Sequence, residues 1–421
     1  MSYAGELSRL PQTRTRRQGK FMPGKRQRII IGLCTILLAG AGAFSAERAA
    51  SSETMYLLTQ ANNAFAWDLY DQLRLTEGNL FFSPYSISSA LAMTYAGARG
   101  NTEKQIAETL HFTLGQDALH PAFYELNRHI ATLGQDHANI LQIANSLWVE
   151  RGLQLLQAFA ETGQEYYNSN LFQVDFSNAA EACRTEINKW VAEHTEQKVT
   201  ELLHKGDVTR DTSLVLTNAV YFKADWLTPF DEKDTTNGDF WIAPDTRISL
   251  PMMRLKSDFE YAEDAFGQIA VLPYVGEKLY MILALPWAKD GLTALEAGLD
   301  SKTIDRWIEK LMPRKLNLTL PQFTMRSRLS LIEILREMGV TDTSNFSGMT
   351  TPPLPLADIV HEAFIDVNEH GTEAAAATAV SLGRSLPRYV EFHADHPFLY
   401  FIYDSTSKSI LFIGRVSDPS A

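Results

Sequence analysis

The residues that could do chemistry do not fall into a recognised catalytic spacing. Ten histidines and many serines are present, but there is no G-x-S-x-G elbow, no H-E-x-x-H pair and no G-x-x-x-x-G-K-S/T phosphate loop. His361-Glu362 lacks a second histidine four residues after the first, and a serine triad would have to be gathered from distant positions. The segment that stands out by residue type is Asn368-Glu-His-Gly-Thr-Glu-Ala-Ala-Ala-Ala-Thr-Ala-Val-Ser-Leu-Gly-Arg-Ser-Leu-Pro387. It is uncharged from Ala374 to Gly383 and then carries one arginine, Arg384. An alanine helix is one plain reading, but the run is shorter than the roughly 12–15 residues at which isolated helices become even marginal. A flexible surface loop is the other, and long loops in compact domains tend to be functional. Neither accounts for a run of nearly all small residues followed by a single arginine.

The elements that must position this segment alternate without a clear linker from Met55 onward. Met55 to Leu75 has apolar residues near helical spacing (Leu58, Ala61, Phe65, Leu69, Leu73), and Ser86 to Tyr95 and Asn101 to Leu110 read as two further helices. Asn101 is the expected cap of the second of these, with Glu103 in its first turn. Cys183 to His194 reads as another helix, with Ile187, Trp190 and Val191 on one side. Strand signals then dominate. Ser213 to Phe222 is β-branched and aromatic, Gln268–Tyr274 and Lys278–Leu285 form a hairpin, and Lys315 to Leu320 alternates with period two. The odd segment lies between Ile359–Val367 and Tyr389–Phe392, both strand-like, and Phe398–Tyr403 and Ser409–Gly414 make a second hairpin. Helices crowd the first half and strands the second, an α+β pattern in one large domain spanning 47–421, with no internal repeat.

Residues 1–46 differ from the rest. Eight Lys or Arg stand against one acid, Glu6, followed by the apolar run Ile29 to Leu38 and the small residues Ala39 to Ala46. These are the three parts of a secretory signal, with cleavage expected near Ser45 and Met22 as a possible start. Stretched to Phe44 the run is 16 residues, short of the roughly 20 that span a membrane; an uncleaved anchor is the minor alternative. The chain is therefore expected to be secreted or periplasmic. Losing eight positive residues and one acid takes the formal net charge from −12 to −19. Such a balance favours solubility and argues against nucleic acid or anionic membrane as partners. Cys34 sits in the signal, which leaves Cys183 alone in the remainder, so no internal disulfide is expected there and no Cys/His spacing resembles a metal site.

Glu369-His-Gly-Thr-Glu-Ala-Ala-Ala-Ala-Thr378 closely resembles the reactive-loop hinge of inhibitory serpins. Five more segments agree in order: Asn79–Ile87, Thr217–Trp226 with Pro229-Phe230, Leu320-Pro-Gln-Phe323, Phe392–Phe398, and Ile410–Val416 with Asp418-Pro419. Any one is weak; the ordered set, spanning about Met55 to Pro419, is specific. The resemblance implies an α+β fold of about nine helices and three β-sheets with an exposed reactive-centre loop. It also implies an irreversible, suicide-substrate inhibitor of serine proteases and not an enzyme: a protease cuts the loop, which inserts as a new strand in the central sheet with the acyl-linked protease attached.

The residues meet that demand. Strand side chains alternate between faces, so one face would carry Thr372, Ala374, Ala376, Thr378 and Val380, fit for a buried interface. The other would carry Glu373, Ala375, Ala377, Ala379 and Ser381, expected to face solvent. Residues 372–384 extended span at most roughly 43 Å, and Gly371 supplies a hinge with wide φ freedom. Two alignments place the cut bond. Gly383-Arg-Ser-Leu386, similar to the antithrombin type, gives Arg384–Ser385 and a trypsin-like target; the commonest hinge length gives Ser385–Leu386 and an elastase- or subtilisin-like one. Arg384–Ser385 is the first choice. Ser83, Ser86, Asn218 and His361 match the family's buried shutter, and Trp226 matches the breach tryptophan where insertion starts. The resemblance implies no metal and no cofactor. A heparin-type cofactor is not expected, because Arg128 is the one Lys or Arg between Gln116 and His137. The partner implied is a target serine protease in a covalent acyl complex; the chain is expected to be a monomer with a polymerisation risk, because a loop that adds to its own sheet can add to another's. A non-inhibitory, carrier-type serpin and a secreted hydrolase with a non-local triad are the rival readings.

Overall fold

In a computed structural model, residues 52–134, 139–356, 358–372 and 388–421 are described. The signal-like region 1–46 lies outside the described residues, as do Glu373, Ala374, Ala375, Ala376, Ala377, Thr378, Arg384, Ser385 and Leu386.

Helix α1 (Ser52–Leu73) buries Leu58, Ala61, Phe65, Leu69 and Leu73, the stripe its spacing predicts. A short strand β1 (Leu80–Phe82) leads into α2 (Pro84–Tyr95), all of whose residues are buried. The start of α2 is built by Ser83, whose Oγ accepts from the Ser86 N–H at 3.2 Å, with proline in the first turn. Helix α3 (Gly100–Thr109) begins one residue before the sequence expectation, and Asn101 is not its cap. The Asn101 amide instead donates to Asp342 at 3.2 Å, so it is drawn away from the helix end. Helix α4 (Gln116–Leu133) follows, then β2 (Asn139–Glu150), β3 (Gln154–Leu155), α5 (Gln157–Tyr167) and β4 (Asn170–Val174). Helix α6 (Phe176–His194) starts seven residues earlier than expected, where the Asp175 carboxylate accepts from the Asn178 N–H.

The strand-rich half begins with β5 (Leu214–Asp225), followed by β6 (Thr236–Ala243), β7 (Thr246–Glu263), β8 (Gly267–Pro273) and β9 (Leu279–Pro286). Two short helices, α7 (Leu292–Ala297) and α8 (Thr303–Lys310), precede β10 (Met312–Pro321), β11 (Phe323–Ser330) and α9 (Leu331–Glu337). The remainder comprises β12 (Thr350–Thr351), β13 (Asp358–Val367), β14 (Gly371–Thr372), β15 (Val390–His393), β16 (Phe398–Asp404) and β17 (Ser409–Val416). Both expected hairpins form, β8 with β9 and β16 with β17.

Among the described residues there are nine α-helices and three sheets, as expected. The largest sheet runs β1-β17-β16-β9-β8-β7-β10-β15, with β6 on β7; the smallest pairs β12 with β3. The sheet that matters here has the order β11-β13-β5-β2-β4. Its central pair, β13 and β5, is parallel from Asp358 opposite Val215 to Phe364 opposite Tyr221. Burial on both faces explains the near-continuous apolar run of β5 and why pairs on either side of it sit deep in the core.

Candidate functional site

The site is the seam between β13 and β5, seen first from its core side. His361 of β13 and Asn218 of β5 are direct register partners, and both are fully buried. Ser83 N–H donates to His361 Nε2 at 3.2 Å. A backbone N–H can only donate, so Nε2 accepts, Nδ1 carries the proton, and Asn218 Oδ1 receives it at 2.5 Å. The Asn218 amide in turn donates to Ser86 Oγ at 2.6 Å and to Asn145 Oδ1. Ser83 Oγ donates to the Leu411 carbonyl at 2.7 Å. Burial without a charged partner drives the His361 imidazole down to about 3, so it is neutral. The four expected shutter residues are therefore one connected network that ties β13 and β5 to α2. Asn145 and Leu411 complete it and were not expected from the sequence.

The upper end of the seam is where the chain turns back. After β13, residues Asn368 to Gly371 close a tight turn, and β14 pairs antiparallel with the end of β5, Gly371 opposite Asp225 and Thr372 opposite Ala224. Gly371 has φ of +151°, and a Cβ there would lie 2.2 Å from the Ala224 carbonyl oxygen and 2.6 Å from the Asp225 Cα. Close approach of two backbones, more than freedom to swing, is what requires glycine. Trp226 stands at this corner. Its ring stacks on Tyr274 with centroids 4.5 Å apart, its Nε1 donates to the Asn368 carbonyl and its backbone N–H to that of His370, both at 3.0 Å. Glu369 is buried; Gln322 donates to both its oxygens, at 2.8 and 2.7 Å, and Thr235 Oγ1 donates at 2.5 Å. His370 faces Glu232 at 3.0 Å. Gln322 lies within one of the quoted motifs, but nothing local announces Thr235, Tyr274 or Glu232 as its neighbours.

The outer face of the seam is also covered. Alternate residues of β5 (Val215, Ala219) and Val360 of β13 are buried in a second apolar cluster with α6 and residues 199–208. Lys223, further along the same face of β5, is half-buried. The expected second face of the loop falls on residues outside those described; on the corresponding face of β5, α6 and the segment after it cross the sheet, which no periodicity in the strand reveals. Cys183 of α6 is buried there, and burial pushes its thiol up, away from the reactive thiolate. Among the described residues no group of three or more His, Cys, Asp or Glu is placed to hold a metal, and no helix is long and apolar enough to cross a membrane.

A family model described as Serpin (serine protease inhibitor) matches residues 60–419. Serpin B6 of Macaca fascicularis is 39% identical over 378 residues, covering 87% of this chain and 100% of that protein. Leukocyte elastase inhibitor of Homo sapiens is 40% identical over 384 residues, again 87% of this chain and 100% of the relative. Among solved structures, human thyroxine-binding globulin superposes with a TM-score of 0.79 at 31% identity, covering 87% of this chain and 99% of that one.

Proposed function

The chain belongs to the serpin family, and from that premise we propose that it is a single-use, irreversible inhibitor of serine proteases that works by loop cleavage and strand insertion. The observation that carries this reading is β14, which already occupies the mouth of the β13–β5 seam in antiparallel register with β5. Continued without a slip, that register would set Glu373 opposite Lys223, Ala374 opposite Phe222, Ala377 opposite Ala219 and Thr378 opposite Asn218. Each placement is chemically apt. The acid meets a cation at the half-buried position, alanines meet buried faces on both sides, and a hydroxyl arrives at the polar network of Asn218 and His361. Small side chains are thus needed on both faces, which explains why the run from Ala374 to Ala379 is alanine and threonine throughout.

The reactive bond of this reading is Arg384–Ser385, with a trypsin-like target whose acidic pocket pairs with arginine. Ser385–Leu386 is the second choice, and a relative named for elastase inhibition favours keeping it. The domain runs from about residue 47 to 421, preceded by a secretory signal that would place the protein outside the cytoplasm. It acts without metal or heparin-type cofactor, as a monomer, and its partner is the protease itself, held as a covalent acyl complex. A carrier function is the rival, kept by the fold shared with thyroxine-binding globulin.

Incubation with trypsin-, elastase- and subtilisin-like proteases should give a complex that survives denaturant, with mass spectrometry of the released peptide locating the cut. Thr372→Arg, opposite Ala224 on the core side of β5, should leave the fold intact and turn the inhibitor into a substrate. Irreversible trapping by that variant would sink the insertion reading, and cleavage without any gain in thermal stability would favour the carrier.

A further inference from the structure

A strand entering between β13 and β5 must pass beneath the layer formed by α6 and residues 195–213. Val199, Leu202 and Leu203 of that segment sit in one apolar cluster with Val215 and Ala219 of β5 and Val360 of β13. The layer is tied down from the neighbouring strand. Arg328 of β11 donates from Nε to the Leu202 carbonyl at 2.6 Å and from Nη2 to the Asp207 carboxylate at 2.5 Å. Arg326, two residues before, donates to the Lys198 carbonyl at 2.5 Å.

Beneath these tethers lies Glu362 of β13, the register partner of Arg328 on one side and of Ala219 on the other. It is 2% exposed, and its Oε1 has no hydrogen-bond partner among the described residues. The nearest cation is Arg326, 3.7 Å away. The charged and titratable groups around it are Arg326 and Arg328 from β11, Lys198, Glu201 and Asp207 from the covering segment, Arg184 of α6 through Glu201, and Tyr221 from β5. Burial pushes the Glu362 carboxyl up to about 7, a push Glu201 reinforces and the two arginines soften without reversing.

We propose that Arg326, Arg328 and Glu362 form a proton-sensitive clamp on the covering layer, closed in acid and loosened at neutral and alkaline pH, which sets how fast a strand enters the seam. It rests on the insertion reading above. The direction follows from hydration. A protonated Glu362 loses little beneath the layer, whereas a carboxylate gains water when the layer lifts, so ionisation favours lifting. With the lifted group titrating in the ordinary range, the lifting equilibrium rises on the order of tenfold between pH 5.5 and 8.

The test is uptake of a synthetic peptide with the sequence of residues 372–384 by the intact protein, followed by intrinsic tryptophan fluorescence from pH 5.5 to 8. Wild type should take up peptide on the order of tenfold faster at the upper end. Glu362→Gln, which keeps shape and cannot ionise, should be slow and flat across the range. Arg328→Ala should be faster than wild type at every pH, with Arg328→Lys between them as a check that retained charge restores part of the tether. A Glu362→Gln profile matching wild type, or Arg328→Ala inserting no faster, overturns the clamp while leaving insertion intact. Uptake that fails at every pH overturns insertion itself, and the clamp with it.

Discussion

Replacing Gly371 with alanine tests the geometry on which the site depends. The new Cβ would meet the Ala224 oxygen at 2.2 Å, the Asp225 Cα at 2.6 Å and the Trp226 nitrogen at 2.8 Å, all backbone atoms that cannot rotate away. A φ of +151° is itself costly for a residue with a side chain, about 1–3 kcal/mol. The chain has two ways to respond. Releasing the whole turn would forfeit the bonds of His370 and Glu369 carbonyls to Trp226 and Phe230 and the Gln322 and Thr235 contacts, each worth about 0.5–1.5 kcal/mol. Peeling only β14 from β5 is cheaper, because the Glu369 anchor stays in place. The expected loss is about 2–4 kcal/mol, which over a domain of this size lowers the melting temperature by roughly 3–5 °C. With the entry register gone, cleavage should outrun insertion, and more than one inhibitor molecule should be consumed per protease trapped. Differential scanning calorimetry reads the first effect and titration of protease activity the second. A variant that melts with wild type and still inhibits one to one would refute the claim that Gly371 is held against β5 by close packing.

Two further outcomes follow from buried polar groups. His361 is depressed to about 3 when folded and ordinary when unfolded, so stability is lost as pH falls from about 6.5 toward 3; the full loss is about 5 kcal/mol. His120, lowered by burial to about 4, adds a similar acid loss, so the measurement is the difference between wild type and His361→Gln in denaturant midpoint across pH, which should shrink in acid; parallel profiles would refute it. Arg415 pairs with Glu296 at 3.2 Å with both side chains buried, and it also donates to the carbonyls of Gly78, Arg74 and Thr76. Arg415→Ala should cost about 3–5 kcal/mol by stranding the Glu296 charge, and Glu296→Gln should cost clearly less because the Tyr70 and Arg415 donors keep an oxygen to bond; equal losses in urea unfolding would contradict the pair.

Local chemistry made much of this protein legible. Helical spacing in α1 and alternation in β10 are set by residues within one turn or one strand, and both elements formed where expected. Ordered motifs likewise singled out Ser83, Ser86, Asn218 and His361, which the fold joins in one hydrogen-bond network, because each motif is short and its residue types are restrictive. Boundaries were less legible where a distant partner decided them: Asn101 is taken by Asp342, and α6 extends back to an Asp175 cap.

By itself the sequence determined that a run of small residues with glycine before it and arginine near its end lies between two strands, because that is a matter of composition and order. Only the tertiary structure decided that Gly371 and Thr372 already pair with β5, that Glu369 is gripped by Gln322 and Thr235, and that the segment after α6 is tethered over the strand carrying the buried Glu362. Those contacts join residues that the chain brings together only by folding back across the sheet. No local propensity records them, because each group's burial and partner are supplied by segments from elsewhere in the fold.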